Sequence, residues 1–307
     1  MRLALTVPFS GVPLTELPAL VRRAEDAGYE SLWSQEATEL DGFTPLTIAA
    51  LNSERMRLVT GIVSVYTRGP TLLAQSATAL SELSGGRFVL GLGASSNVIV
   101  EQWNGIPFER PLAKVRDTVD YLRRAFAGER VDGGFKLSPS PSHPIPIVLA
   151  ALRDRMLRLA AERADGAFTN FLPESGVPKV VEAFGSPQKE LACRFFSMAG
   201  DDDQVLTIAK RIFVGYATVP VYTEFFRWLG WGEEVDRVVD AWNAGDRRRA
   251  VELAPDRFIH EIFLLGPAEA QRERLEAFAN AGITTAALTL LWPPDRMSEA
   301  IDAFAPR

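Results

Sequence analysis

Short runs rich in β-branched and aromatic residues alternate along the chain with longer stretches whose apolar residues recur at helical spacing. In residues 15–27, for example, Leu17, Leu20 and Ala24 fall on one face of a helix. The runs that predict strands are residues 3–9, 30–34, 58–65, 88–93, 146–151, 166–171, 192–198 and 285–291. The stretches that predict helices are residues 15–27, 43–52, 71–83, 111–126, 154–163, 174–184, 268–281 and 295–304.

Eight strands that each have a helical partner fit two α/β architectures, a closed (β/α)8 TIM barrel and a doubly wound open sheet. The dinucleotide-binding form of the open sheet carries a G-x-G-x-x-G motif between its first strand and first helix. This chain has no such motif there, and the nearest substitute is the isolated pair Gly91 and Gly93 at the end of the fourth strand. The sequence therefore favours a single TIM-barrel domain over residues 1–307.

One long segment, residues 204–258, interrupts this alternation and is helical in pattern. We expect it to be a helical insertion on the side of the barrel that carries function. Packing within the insertion is the first expectation for each of its tryptophans, while Tyr216, Tyr222 and Trp228 together also fit a lid or a substrate wall. An insertion of this kind also predicts self-association, which we expect to give a homo-oligomer such as a dimer.

Composition excludes several classes of protein. The net charge of −6 argues against a nucleic-acid-binding protein, which needs a basic face. The single cysteine, Cys193, cannot form an internal disulfide, and together with His143 and His260 it does not suffice for a Cys/His metal cluster, so no metal is expected. No run of about 18 apolar residues occurs, which predicts no membrane span and a cytoplasmic protein.

In a parallel barrel the ligand site lies at the carboxyl ends of the strands. The residues that follow the predicted strands are small, apolar, or carry hydroxyl or amide groups, and they include few charges. They offer no Ser-His-Asp set, no paired carboxylates and no lysine. A site so poor in reactive side chains indicates that a cofactor supplies the reactive group and that the protein orients it.

Two consecutive segments resemble one family in particular. Residues 58–70 (LVTGIVSVYTRGP) and 74–93, which include the motif Ser84-Gly85-Gly86-Arg87-Phe88, resemble the bacterial-luciferase-like monooxygenase superfamily. Within it, the chain is most similar to the coenzyme F420-dependent (deazaflavin) oxidoreductases, in the branch that includes methylenetetrahydromethanopterin reductase. Further matches at residues 29–33, 148–152 and 264–266 extend the resemblance over nearly the whole chain.

The resemblance implies a TIM barrel that holds a flavin or a deazaflavin in a cleft at the strand ends. It places a cis peptide bond between Gly61 and Ile62, behind the cofactor ring, and Glu36 near the polar edge of the ring. Glu36 would then bind the cofactor and exchange a proton in catalysis, although a surface or helix-capping glutamate fits the sequence equally well.

The other residues implied to contact the cofactor follow later strands. Their side chains would bind the ring, leave room for the ribityl chain, or hold the phosphate and the tail beside a helix N-terminus. They are Ser95, Ser96, Asn97, Ala150, Ala151, Arg153, Thr169 and Asn170. On the substrate side the implied residues are Thr6 and Tyr66, although Tyr66 fits a loop-stabilising residue equally well.

Three positions depart from the family pattern. Ala37 replaces a frequent histidine, Thr6 stands where methanopterin-reducing relatives carry a glutamate, and Arg153-Asp154 replaces a Gly-Pro turn. From the resemblance we expect coenzyme F420 to be the cofactor, with hydride transfer to or from an organic substrate, and the departures at Ala37 and Thr6 argue against sugar-phosphate and methanopterin substrates. The alternatives are an FMN-dependent luciferase-like monooxygenase and a non-catalytic flavin-binding barrel.

Overall fold

Parallel strands close on each other into a barrel in this computed structural model, which describes residues 1–306. Nine strand segments fill eight positions, because β3 and β4 occupy one position and both pair with β5. The strands are β1 (Arg2–Val7), β2 (Ser31–Ser34), β3 (Arg57–Thr60), β4 (Val63–Ser64), β5 (Phe88–Gly93), β6 (Ile147–Ala150), β7 (Gly166–Asn170), β8 (Glu190–Ser197) and β9 (Thr285–Leu290). The predicted (β/α)8 TIM barrel is therefore confirmed.

Helices surround the barrel and cover its outer face. They are α1 (Leu17–Asp26), α2 (Thr44–Ala50), α3 (Pro70–Leu83), α4 (Pro111–Phe126), α5 (Asp154–Arg163), α6 (Val177–Phe184), α7 (Asp203–Ala217), α8 (Pro220–Leu229), α9 (Gly232–Asn243), α10 (Arg247–Leu253), α11 (Asp256–Ile262), α12 (Ala268–Asn280) and α13 (Met297–Ala303). A π-helix over Val98–Trp103, which the sequence analysis did not anticipate, follows β5.

The third strand position is broken where the sequence predicts one continuous strand over residues 58–65. A cis peptide bond joins Gly61 to Ile62 between β3 and β4, as the resemblance implies. The Thr60 hydroxyl accepts a hydrogen bond from Gly91 N at 2.7 Å and donates one to Gly91 O at 2.9 Å. A Cβ at position 91 would lie 1.7 Å from the Thr60 carbonyl oxygen, so only glycine permits this approach of the two strands.

The barrel interior is filled by one residue from each strand position. Trp33 and Phe168 are the large members, with ring centroids 4.6 Å apart, and the remaining members are small enough to fit around them. The interior cluster consists of Ala4, Trp33, Val59, Val89, Val148, Phe168, Ala192 and Ala287. This layer closes the barrel beneath its mouth.

The motif Ser84-Gly85-Gly86-Arg87-Phe88 is explained by the fold. The Arg87 guanidinium donates hydrogen bonds to the carbonyl oxygens of Ala50 and Met56, and to Ser53, at distances of 2.9 to 3.1 Å. It thereby ties the end of α2 to the beginning of β3 and β5. The role that the structure shows for this motif is therefore to stabilise the fold.

The amino-terminal end of the barrel is closed by an ion-pair cluster around Glu190. This carboxylate accepts hydrogen bonds from Arg57 Nη2 at 3.0 Å and from Thr285 Oγ1 at 2.6 Å, and Arg2 Nη2 lies 2.9 Å away. Burial raises the pKa of Glu190, but the hydrogen bond and charge of Arg57, followed by Thr285 and Arg2, outweigh it and hold that pKa below its ordinary value.

Five helices, α7 to α11, lie between β8 and α12 and cover the segment predicted as a helical insertion. Their aromatic residues pack on one another: Trp231 stacks on Phe258 at 3.7 Å, and Phe213 lies 5.2 Å from the same ring. Arg247 lies over Trp242, 3.6 Å from the ring centroid. Within residues 1–306, no single helix combines the length and apolarity needed to cross a membrane; α7 and α8 together meet these criteria, but they bend by 103°.

Candidate active site

The mouth of the barrel is formed by the residues two positions beyond the interior cluster on each strand position. Side chains alternate along a strand, so these residues point into the barrel one layer higher. They are Thr6, Gln35, Gly61, Gly91, Ala150, Asn170, Arg194 and Thr289. Gly61, Gly91 and Ala150 have little or no side chain and lie on consecutive strand positions around the barrel. The polar members of the layer occupy the opposite arc. The mouth therefore has an apolar side and a polar side.

The apolar side is a shallow cradle made by Ile62 and the backbone around it. A Cβ at Gly93 would lie 2.9 Å from both Ala150 Cβ and Ile62 Cδ1, and one at Gly61 would lie 3.0 Å from Trp33 Cε3. These glycines keep the surface low, while Ile62 is partly exposed and packs against the interior cluster. A planar apolar ring fits such a surface.

The polar side contains buried atoms that have no partner among residues 1–306. These atoms are Thr6 Oγ1, Thr289 Oγ1 and Arg194 Nε. Buried polar groups in folded proteins are nearly always hydrogen-bonded, so orphaned groups in a mouth indicate atoms that a ligand or water satisfies. The cradle and these orphaned atoms together fit a flavin-like group, which has a flat apolar face and a polar edge.

Arg194 is the most unusual residue of this layer, because it is a charged side chain that is only 8% exposed. Its Nη1 donates to Gln35 Oε1 at 2.6 Å and its Nη2 to the Tyr216 hydroxyl at 3.0 Å. Its guanidinium carbon lies 4.4 Å from the centroid of the Phe196 ring. It forms no ion pair with an acidic residue in the part of the chain that the structure describes.

Two tyrosines of the helical segment reach this polar side. Tyr216 bonds Arg194, and Tyr222 accepts a hydrogen bond from Asn170 Nδ2 at 2.9 Å. Burial raises the pKa of the Tyr222 hydroxyl well above its ordinary value, so this side chain is a neutral phenol at physiological pH. Tyr216 and Tyr222 thus fit the predicted wall, whereas Trp228 lies 4.8 Å beneath the Lys179 ammonium.

Glu36 lies at the rim of the mouth and is held by an ion pair. Its carboxylate binds Arg68 Nη2 at 2.5 Å and accepts a hydrogen bond from Gly42 N at 3.0 Å. Asp41 lies 3.6 Å from the same guanidinium. The hydrogen bond that Arg68 donates to Glu36 raises the pKa of Arg68, which keeps the guanidinium charged. Glu36 is therefore anchored between two loops, and its role in catalysis stays a prediction.

The residues after β5 remain available to a ligand. Ser95 adopts a left-handed conformation, with φ of 64°, and its side chain forms no hydrogen bond within residues 1–306. Ser96 Oγ accepts a hydrogen bond from Ile99 N at 3.3 Å, and the half-buried Asn97 directly precedes the π-helix. All three lie beside the cradle, because β5 ends at Gly93.

Of the residues after β6 that are implied to contact the cofactor, one faces the mouth and another is buried. Ala150 faces the mouth, whereas Ala151 is buried behind it. Arg153 precedes α5 and lies 3.7 Å from Glu224, not beside Asp154, which pairs with Arg158. The amino-terminal N–H groups of α5 have no side-chain cap, so they are free to bind an anion.

Two predicted residues do not face the mouth. Thr169 alternates with Phe168 and Asn170, which point into the barrel, so its side chain is turned toward the helices. Tyr66 donates a hydrogen bond from its hydroxyl to Glu109 O and packs 5.1 Å from the Phe108 ring, where it fixes a loop. Strand alternation thus turns Thr169 away from the mouth, and the contacts of Tyr66 fit the loop-stabilising alternative.

Sequence reasoning missed Arg194 and Gln35. The signal for Arg194 was present, because a single charged residue interrupts the apolar strand Leu191-Ala192-Cys193-Arg194-Phe195-Phe196. A charge within a strand of an α/β barrel is rarely buried without a function. The hydrogen bond that joins it to Gln35, 159 residues away along the chain, had no such signal.

The fold and the mouth define a TIM-barrel protein whose ligand site lies at the carboxyl ends of the strands. A family model described as luciferase-like monooxygenase matches residues 3–285, and the chain belongs to that family. A Mycobacterium tuberculosis (strain ATCC 25618 / H37Rv) protein, named as a coenzyme F420-dependent oxidoreductase, is 28% identical over 94% of this chain and 95% of its own length.

Two further proteins are similar over most of the chain. The 5,10-methylenetetrahydromethanopterin reductase of Archaeoglobus fulgidus is 29% identical over 88% of this chain and 87% of its own length. The structure of the coenzyme F420-dependent tetrahydromethanopterin reductase from Methanopyrus kandleri superposes with a TM-score of 0.75 at 22% identity, over 99% of this chain and 97% of that chain. The predicted family is therefore confirmed, and so is the prediction that the chain is an enzyme of the luciferase-like oxidoreductase class.

Proposed function

We propose that the protein is a coenzyme F420-dependent oxidoreductase that transfers a hydride between the deazaflavin and a small organic substrate. The observation that carries the proposal is the two-sided mouth, in which the low cradle around Ile62 faces the orphaned atoms of Thr6, Arg194 and Thr289. The names of the Mycobacterium tuberculosis and Archaeoglobus fulgidus relatives support this choice of chemistry.

The bound deazaflavin would supply the carbon that carries the hydride. The residues of this chain bind and orient it: Gly61, Ile62 and Gly93 offer a flat surface to the ring, and the free N–H groups of α5 offer a site for the phosphate. Tyr216 and Tyr222 wall the mouth and exclude water from the reacting atoms. Glu36 is the proposed proton-exchanging group, and Arg68 holds its carboxylate in place.

An FMN-dependent monooxygenase is the second candidate, because the matching family is described by that activity. The cradle fits the ring of FMN as well as that of the deazaflavin, since the two rings share their shape. The cofactor that the protein binds therefore distinguishes the two candidate functions.

The test is a titration of the purified protein with coenzyme F420 and with FMN, followed by fluorescence. Saturable binding of coenzyme F420 and not of FMN supports the proposal, and the opposite result supports the monooxygenase. Binding of neither cofactor overturns both and favours a non-catalytic barrel. Glu36→Gln should lower turnover more than cofactor affinity, whereas Glu162→Gln, at an exposed position, should change neither.

A further inference from the structure

Arg194 is a buried cation whose charge the described part of the chain does not neutralise. Its two protein partners, Gln35 and Tyr216, are uncharged acceptors, and Nε has no partner at all. A guanidinium has five N–H donors, of which two are used here. A buried charge without a counter-ion costs several kcal/mol, so a fold retains one where a ligand completes it.

The residues around Arg194 offer no hidden counter-charge. Glu36, the nearest acidic residue along the chain to Gln35, is engaged by Arg68. The Tyr222 hydroxyl stays protonated at neutral pH because burial raises its pKa. The neighbouring Cys193 points away from the mouth by strand alternation, and burial raises the pKa of its thiol, so it is not a thiolate.

The surroundings of Arg194 are otherwise aromatic. The Phe196 ring packs on the guanidinium, and Phe171 lies 4.7 Å from Phe196 and 4.2 Å from Tyr216 between ring centroids. A ligand that reaches the exposed part of the guanidinium therefore meets one positive charge beside aromatic rings. The matching chemistry is a single oxyanion on an apolar body.

We propose that Arg194 is the substrate-anchoring residue of the mouth and that the substrate is a small organic acid, whose carboxylate binds the guanidinium beside the Phe196 ring. This proposal rests on the proposed function, since it places the carboxylate on the side of the mouth opposite the cradle. Gln35 and Tyr216 hold the guanidinium in position, and each takes only one N–H of Nη1 or Nη2, so a second N–H on each nitrogen is left for the carboxylate.

Calorimetry on the protein without added cofactor tests the proposal with benzoate and benzamide as probes, because the two differ in charge but little in shape. Benzoate should bind the wild-type protein, and benzamide should bind more weakly on the order of tenfold to hundredfold. Arg194→Met should abolish this preference, and Arg194→Lys should restore part of it. Arg248→Met, at an exposed position, should bind benzoate as the wild-type protein does.

Thermal unfolding separates anchoring from a structural role. Removal of an unpaired buried charge should leave the unfolding midpoint of Arg194→Met equal to or above that of the wild-type protein, and benzoate should raise the midpoint of the wild-type protein alone. A midpoint lowered by the substitution, with benzoate affinity unchanged, overturns the proposal. Equal affinity of the wild-type protein for benzoate and benzamide also overturns it.

A parallel titration of the wild-type protein and of Arg194→Met with coenzyme F420 shows whether the oxyanion belongs to the substrate or to the cofactor. If Arg194→Met weakens coenzyme F420 binding tenfold or more and leaves benzoate binding unchanged, the oxyanion belongs to the cofactor and the substrate assignment is wrong. If the wild-type protein binds benzoate through Arg194 but binds no coenzyme F420, the proposed function fails and the anchoring role of Arg194 stands.

Discussion

Glu36 and Arg68 meet at the rim of the barrel mouth, where Arg68 Nε lies 3.1 Å from Oε1 and 3.0 Å from Oε2 of the carboxylate. Both side chains are 19% exposed. The pair joins the loop after β2 to the loop after β4, and the Arg68 guanidinium also lies 5.0 Å from the centroid of the Phe43 ring. The position of the Glu36 carboxylate at the rim is therefore set by Arg68.

A double-mutant cycle should measure this coupling. We expect Glu36→Gln and Arg68→Met each to lower the free energy of unfolding, and the double variant to lose less than the sum, with an interaction of about 1 kcal/mol because the pair is partly buried. Chemical denaturation of the four proteins gives the value. Strict additivity would show that the two side chains act independently, and an exposed pair such as Arg296 and Glu299 serves as the weak control.

The flatness of the cradle depends on Gly93. A Cβ there would lie 2.9 Å from Ala150 Cβ, closer than side chains approach in folded proteins. We expect Gly93→Ala to displace Ile62 and to weaken binding of the preferred cofactor by about tenfold, a cost of about 1.4 kcal/mol. The measurement is the fluorescence titration used to identify the cofactor.

Gly215→Ala is the matched control for that substitution. Gly215 lies within α7, and a Cβ there meets no atom within 4 Å. We expect this variant to bind cofactor normally and to be more stable by about 0.5–1 kcal/mol, because alanine restricts the unfolded chain and favours the helix. Equal cofactor affinity in both glycine variants would contradict a cradle at Gly93.

Sequence periodicity predicted the barrel because every strand is followed by a helix of suitable length, and the eight predicted strands all occur. The break at Gly61 and Ile62 did not follow from periodicity, since β-branched residues occur on both sides of it and residues 58–65 fit one continuous strand. It came from the resemblance. Its physical requirement, a glycine at position 91 opposite Thr60, is a contact between strands that no local pattern contains.

The candidate site was predictable to the extent that strand ends identify it. Asn170 was proposed because it stands at the end of a predicted strand, and Thr6 came from the resemblance; the register places both in the mouth. Thr169 was included because strand-end reasoning does not tell inward from outward residues. Arg194 was missed because it lies within β8 and not after it, and its partner Gln35 follows β2, 159 residues away along the chain.

The Thr60 hydroxyl replaces backbone pairing where the third strand is interrupted. It bonds both the N–H and the carbonyl of Gly91, and the side chain is fully buried. Thr60→Val keeps the shape but leaves both Gly91 groups unsatisfied, so we expect the free energy of unfolding to fall by about 2–3 kcal/mol. In chemical denaturation, Thr60→Ser should keep most of the wild-type free energy of unfolding, because serine retains the hydroxyl. A Thr60→Val protein as stable as Thr60→Ser would show that the hydroxyl does not support the break.

The ion pairs of Glu190 should make the free energy of unfolding fall as the pH is lowered. The folded protein holds the pKa of Glu190 below its ordinary value of about 4.3, so the carboxylate stabilises the fold above that value and the contribution is lost as pH falls through the lowered pKa. At about pH 7, Glu190→Gln should cost about 2–3 kcal/mol, less than a fully buried pair because Arg2 and Arg57 remain partly exposed. Urea denaturation of both proteins from about pH 7 to about pH 3 should show the difference shrinking as the wild-type carboxylate becomes protonated. Glu162→Gln, at an exposed position, should show no such trend, and a Glu190→Gln difference that is constant with pH would mean that the charge of Glu190 contributes nothing.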